Sequence, residues 1–162
     1  MSAVLIMDVD WTNPKHGQDL IDMLQVYATD LMGGGQELLP TTKANLFAAL
    51  GKLGNCHAFL AYVEEEPAGL LISFEGFSTF ACKPLLNLHD IVVSGPFRGR
   101  GISKLLMNRA EEIARELGCC KMTLEVLSGN KVAQSAYAAF GFEGYQLDAE
   151  QGTALFWQKK IS

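Results

Sequence analysis

Val92-Val93-Ser94-Gly95-Pro96-Phe97-Arg98-Gly99-Arg100-Gly101-Ile102-Ser103 is the stretch that decides the fold. It leaves a strand-like run, Leu85 to Val93, crosses a glycine-rich basic turn and enters a helical pattern from about Gly101 to Leu117. Leu106, Ala110, Ile113 and Leu117 form that helix's apolar stripe, Lys104, Glu111, Glu112, Arg115 and Glu116 lie outside it, and Gly118 is a natural stop. Such a junction presents free backbone N–H groups at a helix N-terminus, where the helix dipole carries about half a positive charge. Gly99 and Gly101 let the backbone approach an oxyanion, and Arg98 and Arg100 add positive charge. A pyrophosphate fits this turn; the plainer reading is a loop whose arginines are only solvated. A P-loop is excluded because GxxxxGK followed by Ser or Thr is absent. The dinucleotide pattern GxGxxG fails because Lys104 stands in its last place.

Outward from this junction the chain reads as one α/β layer. Ala3 to Val9 is apolar and strand-like. From Pro14, Leu20, Leu24, Tyr27 and Leu31 follow a helical period that stops at Gly33-Gly34-Gly35. Thr41 or Thr42 can cap a second helix carrying Leu46, Ala49, Leu50 and Leu53. Cys56 to Val63 and Ala68 to Phe77 read as a hairpin around Glu64 to Pro67, and Ser78 to Pro84 as a connector. Beyond the long helix come a strand at Lys121 to Leu127, a helix at Asn130 to Phe140 closed by Gly141, and strands at Phe142 to Leu147 and Thr153 to Gln158. The expected order is β-αα-βββ-α-β-α-ββ, a mixed α/β (α+β) sheet in a single domain over residues 1–162.

Composition narrows the partners. Thirteen Lys and Arg against eighteen Asp and Glu give a net charge of −5, a poor surface for displacing counterions from nucleic acid. No apolar run approaches the ~18 residues that a membrane span needs, and Asp8 interrupts the N-terminal apolar stretch too early for a signal peptide. Cys56, Cys82, Cys119 and Cys120 form no CxxC pair, and only three histidines accompany them, so neither a disulfide framework nor a metal site is expected. Cys119 and Cys120 read as buried, inert thiols. These features suit a reducing, cytoplasmic compartment.

Arg98-Gly99-Arg100-Gly101-Ile102-Ser103 resembles the R/Q-x-x-G-x-G/A signature of the GCN5-related N-acetyltransferases (GNAT), preceded by Val93 and Pro96 as in that family's strand exit. Ser103 stands where the signature has Gly or Ala; serine is small and keeps its N–H. Downstream, Asn130-Lys131-Val132-Ala133, Tyr137 and Gly141-Phe142 are similar to the family's N-x-x-A-x-x-x-Y-x-x-x-G-F, and the element order agrees across the chain. The resemblance implies a mostly antiparallel central sheet with helices on both faces, and acetyl-CoA as cosubstrate without a metal. It implies that the amides of Arg98, Gly99, Arg100, Gly101, Ile102 and Ser103 hold the pyrophosphate. The backbone of Ile91, Val92 and Val93 would pair with the pantetheine arm, the Asn130–Ala133 motif would contact the same arm, and Tyr137 would serve as general acid at the sulfur. A homodimer is also compatible with it.

Acyl transfer to an amine needs a base as well, because an amine with a pKa near ~10 arrives protonated. Asn87-Leu88-His89-Asp90 supplies candidates: His89 first, Asp90 second, the latter equally readable as a structural partner for backbone N–H groups. Strict strand alternation places Asn87, His89, Ile91 and Val93 on one face and Leu88, Asp90 and Val92 on the other, so the two would not act together. Glu75, Phe74, Phe77 and Phe80 are weaker candidates for the acceptor pocket, and Gly33 to Gly35 for a mobile loop over it. The expected activity is transfer of acetyl from acetyl-CoA directly to a primary amine. The alternatives are a non-catalytic acyl-CoA-binding module on the same fold and a nucleotide-binding α/β domain.

Overall fold

The computed structural model describes residues 2–161, which fall into two compact units, one up to residue 124 and one from residue 125. In the first unit a five-stranded sheet runs in the order β1 (Val4–Asp8), β2 (Cys56–Val63), β3 (Glu66–Ser78), β4 (Lys83–Val93), β5 (Met122–Leu124). All neighbours are antiparallel except β4 and β5, and helices cover both faces, as the sequence led one to expect.

Helices α1 (Pro14–Thr29) and α2 (Pro40–Lys52) lie on one face. There Leu20, Met23, Leu24 and Leu50 join Cys56, Ala58, Leu60, Leu70, Ile72 and Val92 in one apolar cluster. Helix α3 (Ile102–Glu116) packs Ile102, Leu106, Met107 and Ala110 on the other. Gly69 lets it come close: a Cβ there would meet Ile102 at 2.9 Å, Leu106 at 3.1 Å and the Val92 carbonyl at 3.2 Å. Gly69→Val should therefore push α3 off the sheet at about 1–3 kcal/mol, and thermal unfolding would show it. Stability equal to the parent would mean that the helix is not seated there. Arg109 adds a polar strap, donating through Nε and Nη2 to the two Asp8 carboxylate oxygens at 2.8 Å each. That contact holds the Asp8 carboxyl below its ordinary value.

Several boundaries differ from the sequence reading, for physical reasons. Helix α1 ends at Thr29, because Asp30 accepts from the Met32 amide and starts a short 3-10 turn, leaving Leu31 90% exposed rather than on the stripe. Helix α2 has no threonine cap; Pro40 opens it behind Leu39, a position where proline's missing N–H is not needed. The β3–β4 hairpin is longer than expected and leaves only residues 79–82 as connector. Its neighbour turns tightly at Glu64 and Glu65, which adopt φ of 51° and 69°. Strand β5 is shorter than expected, three residues long. Cys120 is exposed and Cys119 half-buried, so the expectation of two buried thiols fails; both flank the short β5, whose start lies at the surface.

The second unit carries α4 (Lys131–Phe140). Asn130 caps its start by accepting from the Ala133 amide at 3.2 Å. Gly141, at φ 113°, closes it: its N–H donates to Ala138, and the Phe142 N–H reaches back to the Tyr137 carbonyl. Strands expected at 142–147 and 153–158 reduce to one bridge, Gln146 with Thr153. A two-stranded ribbon is marginal without an apolar face to bury, and here Leu147, Leu155, Phe156 and Trp157 are 72–85% exposed. No helix among the described residues is long and apolar enough to cross a membrane.

Candidate functional site

Strand β4 is where the site is built. Its parallel pairing with β5 covers Leu86, Asn87 and Leu88 only, so among the described residues no strand of the five-stranded sheet pairs with that edge from His89 to Val93. On the other edge Ile91, Val92 and Val93 pair with Leu71, Leu70 and Gly69. Ile91 to Val93 thus offer one open backbone edge leading to the glycine-rich turn.

That turn has the form of an anion cradle. After a 3-10 turn at Gly95–Phe97, Gly99 and Gly101 take left-handed φ of 77° and 73°. Helix α3 then starts at Ile102 with no side-chain cap. Among the described residues, none accepts a hydrogen bond from the amides of Gly99 to Lys104. The Ile102 side chain is buried, which leaves its N–H as its contribution to the turn. Arg100 lies over the Phe97 ring, 5.4 Å from its centroid. Arg98 donates from Nε to the Val93 carbonyl at 3.2 Å and pairs with Asp30 at 3.5 Å.

Beside the open edge the ladder is irregular. Ile72 pairs with Asp90 and the next residue, Ser73, with Leu88, so His89 is an extra residue in a β-bulge. This overturns the strict alternation: Asn87, opposite Phe74, shares the α1 face with Asp90 and Val92, while Leu86 and Leu88 turn to the α3 face. His89 and Asp90 are partners rather than opposed, with Nδ1 2.9 Å from Oδ2. The Phe74 ring meets His89 edge to face at 5.4 Å. Asp90 is mostly buried, whereas the His89 side chain is 59% exposed. Burial and the negative charges of Asp90 and Asp30 raise the Tyr27 phenol above its ordinary value. The end of α1 therefore belongs to the same neighbourhood. Burial and Asp90 also push the Cys56 thiol up to about 11, so it is no thiolate at neutral pH.

Other expected pocket residues lie elsewhere. Glu75 is on the α3 face, 2.7 Å from His57 Nε2, and is not brought to the His89–Asp90 pair. Phe77 and Phe80 are exposed. In the second unit, Tyr137 projects from α4 and packs edge to face on Phe142 at 6.2 Å. Asn130 spends its side-chain oxygen on the helix cap, leaving its amide nitrogen for other contacts. Among the described residues there is no group of three His, Cys, Asp or Glu that could hold a metal ion.

A family model described as the acetyltransferase (GNAT) family matches residues 19–142. The chain belongs to this family. This acetyltransferase is similar to a thialysine N-epsilon-acetyltransferase of Caenorhabditis elegans, with 29% identity over 127 residues covering 76% of this chain and 75% of that one. It is 40% identical over 88 residues to a streptothricin acetyltransferase of Streptomyces lavendulae, covering 53% of this chain and 47% of the other. Among solved structures, a probable acetyltransferase superposes with a TM-score of 0.80 at 22% identity over 98% of both chains. An aminoglycoside N-acetyltransferase in complex with CoA gives 0.74 at 18%, over 99% of this chain and 97% of that one. At these identities the structures establish the fold.

Sequence reasoning missed two features of the acetyltransferase: the bulge at His89 and the ion pair between Arg98 and Asp30. The first had a signal, because a polar His-Asp pair inside an apolar strand is costly unless the strand departs from regular pairing. The second had none, since Arg98 and Asp30 are 68 residues apart.

Proposed function

We propose that the protein transfers acetyl from acetyl-CoA directly to the primary amine of a cationic small molecule or peptide, within a single acetyltransferase domain. The observation that carries this reading is the open edge of β4 from Ile91 to Val93 running into the unpaired amides of Gly99 to Lys104. An extended amide-bearing arm can add to that edge as a strand would, and a pyrophosphate can sit on the amides. The His89–Asp90 pair speaks for an enzyme rather than a binding module. Asp90 holds Nδ1, which leaves His89 Nε2 to take the proton from the acceptor ammonium; Asp90 is a positioning residue. The amine then attacks the thioester carbonyl and the C–S bond breaks; the Tyr137 hydroxyl gives its proton to the departing thiolate. The second proton, shed by the new amide nitrogen, restores the phenol through solvent, while His89 releases its own proton to bulk water. Direct transfer agrees with the Cys56 thiol, which burial and the Asp90 charge push up. The net charge of −5 favours a cationic acceptor, and the named acceptors of the similar enzymes, thialysine and streptothricin, supply a starting panel.

The test is calorimetric titration with acetyl-CoA, followed by thiol release assayed against thialysine, lysine, streptothricin, aminoglycosides and a peptide N-terminus. Micromolar binding with turnover on one class supports the enzyme. Binding with no turnover on any of them favours the acyl-CoA-binding module, and no binding removes both. His89→Ala should lower kcat at least ~100-fold, with acetyl-CoA affinity kept. Asp90→Asn should lower kcat less. Full turnover in both variants would take the pair out of the reaction.

A further inference from the structure

A cavity of about 530 Å³ lies on the α1 face at the opposite edge of the sheet from β4, between β1 and the start of α1. We propose that it is a second ligand site, for a zwitterionic aliphatic molecule of amino-acid type. Its carboxylate would face His16 and Lys15 and its ammonium Glu64 and Glu65. It is three strands away from the acetyl-transfer edge, about 14 Å at the usual spacing, and owes nothing to that reading.

His16 is the deciding residue. It is 5% exposed and lines the cavity. Its Nδ1 accepts from the Asp10 amide at 2.9 Å, which puts the ring hydrogen on Nε2. Among the described residues nothing accepts from Nε2, yet no fully buried side-chain nitrogen lacks a partner. Nε2 therefore keeps some accessible surface and a free donor, in a residue that lines the cavity. Beside it, the Lys15 ammonium sits 2.6 Å from Asp19 Oδ2 and 4.9 Å from the Tyr62 ring centroid. Asp19 also accepts from the Tyr62 hydroxyl at 2.6 Å, so its charge is answered within the protein. Lysine has three N–H donors, and Asp19 engages one of them. This end of the cavity therefore asks for an acceptor oxygen.

The opposite end asks for a cation. Glu64 and Glu65 stand there in the left-handed turn, and the Ser2 hydroxyl donates to Glu64 without neutralising it. No salt bridge engages either carboxylate among the described residues. Between the two poles the wall is apolar: Leu5 and Met7, opposite Tyr62 and Leu60 in the ladder, are 58% and 39% exposed. An aliphatic side chain would cover them.

The test is methyl-detected NMR of the full chain, labelled at leucine and methionine, titrated with leucine, isoleucine, valine, methionine and norleucine. At least one should shift the Leu5 or Met7 methyl signals saturably in the millimolar range. For that amino acid, the analogue lacking its ammonium and the amine lacking its carboxylate should each bind at least about ten-fold more weakly. Met7→Glu, a change at a partly exposed position, should abolish the shifts. Lys15→Met and His16→Phe should each weaken binding about ten-fold. Three results would overturn the proposal: no saturable shift from any of the five at tens of millimolar, equal binding by either half-molecule, or shifts that survive in Met7→Glu.

Discussion

Gly101→Glu should remove measurable acetyl-CoA binding while the protein stays folded. Two effects act at this position. Gly101 has φ 73°, and any L-residue there carries left-handed strain of about 1–2 kcal/mol. A Cβ at Gly101 meets nothing within 4 Å, so there is no clash to unfold the chain. The second effect is larger. The new carboxylate would stand at the start of α3, against the amides that no other group engages, and would occupy them as an anion of its own. A pyrophosphate would then meet a like charge and filled donors, a penalty of several kcal/mol and an affinity loss beyond ~1000-fold. Gly101→Ala separates the two effects. It carries the strain without the charge, so thermal unfolding should fall as in the glutamate variant while calorimetry still detects acetyl-CoA. Unchanged affinity in Gly101→Glu would mean that the anion sits elsewhere.

Tyr137→Phe should lower kcat by ~100- to 10,000-fold, the range for loss of a general acid, with acetyl-CoA affinity within a few-fold of the parent. The substitution removes one oxygen and keeps the ring. The edge-to-face contact with Phe142, and the closure of α4 at Gly141, use groups that phenylalanine retains. Steady-state kinetics beside calorimetry would separate the two readouts. Turnover equal to the parent would remove Tyr137 from the proton path.

These predictions rest on parts of the chain that could be read before any coordinates. The strand, the turn and the long helix follow from the apolar period of Leu106, Ala110 and Ile113 and from glycines at the positions that take positive φ. Helix α4 was equally plain, because Asn130 and Gly141 mark its two ends chemically. What escaped was set by tertiary context. Leu31 keeps the period of α1, yet Asp30 offers the backbone a local hydrogen bond that ends the helix first. Leu155, Phe156 and Trp157 have the composition of a strand, which does not create a partner to pair with. The face assignment in β4 failed on a single residue: alternation is a rule of regular ladders, and one insertion inverts it for everything upstream. The candidate base and its partner were therefore found by residue type and placed wrongly by geometry.

The bulge has a further consequence, for how the chain can lose length. Between Leu88 and Asp90, β4 holds one residue more than β3 needs. Deleting His89 would set Leu88 directly beside Asp90, as Ser73 stands directly beside Ile72. No side chain on either flank would have to change face. Such a chain of one residue fewer would keep its core and gain an unbroken ladder, yet it would lack the imidazole. A one-residue gap at this point in a relative would thus mark a protein that kept the fold and gave up the pair.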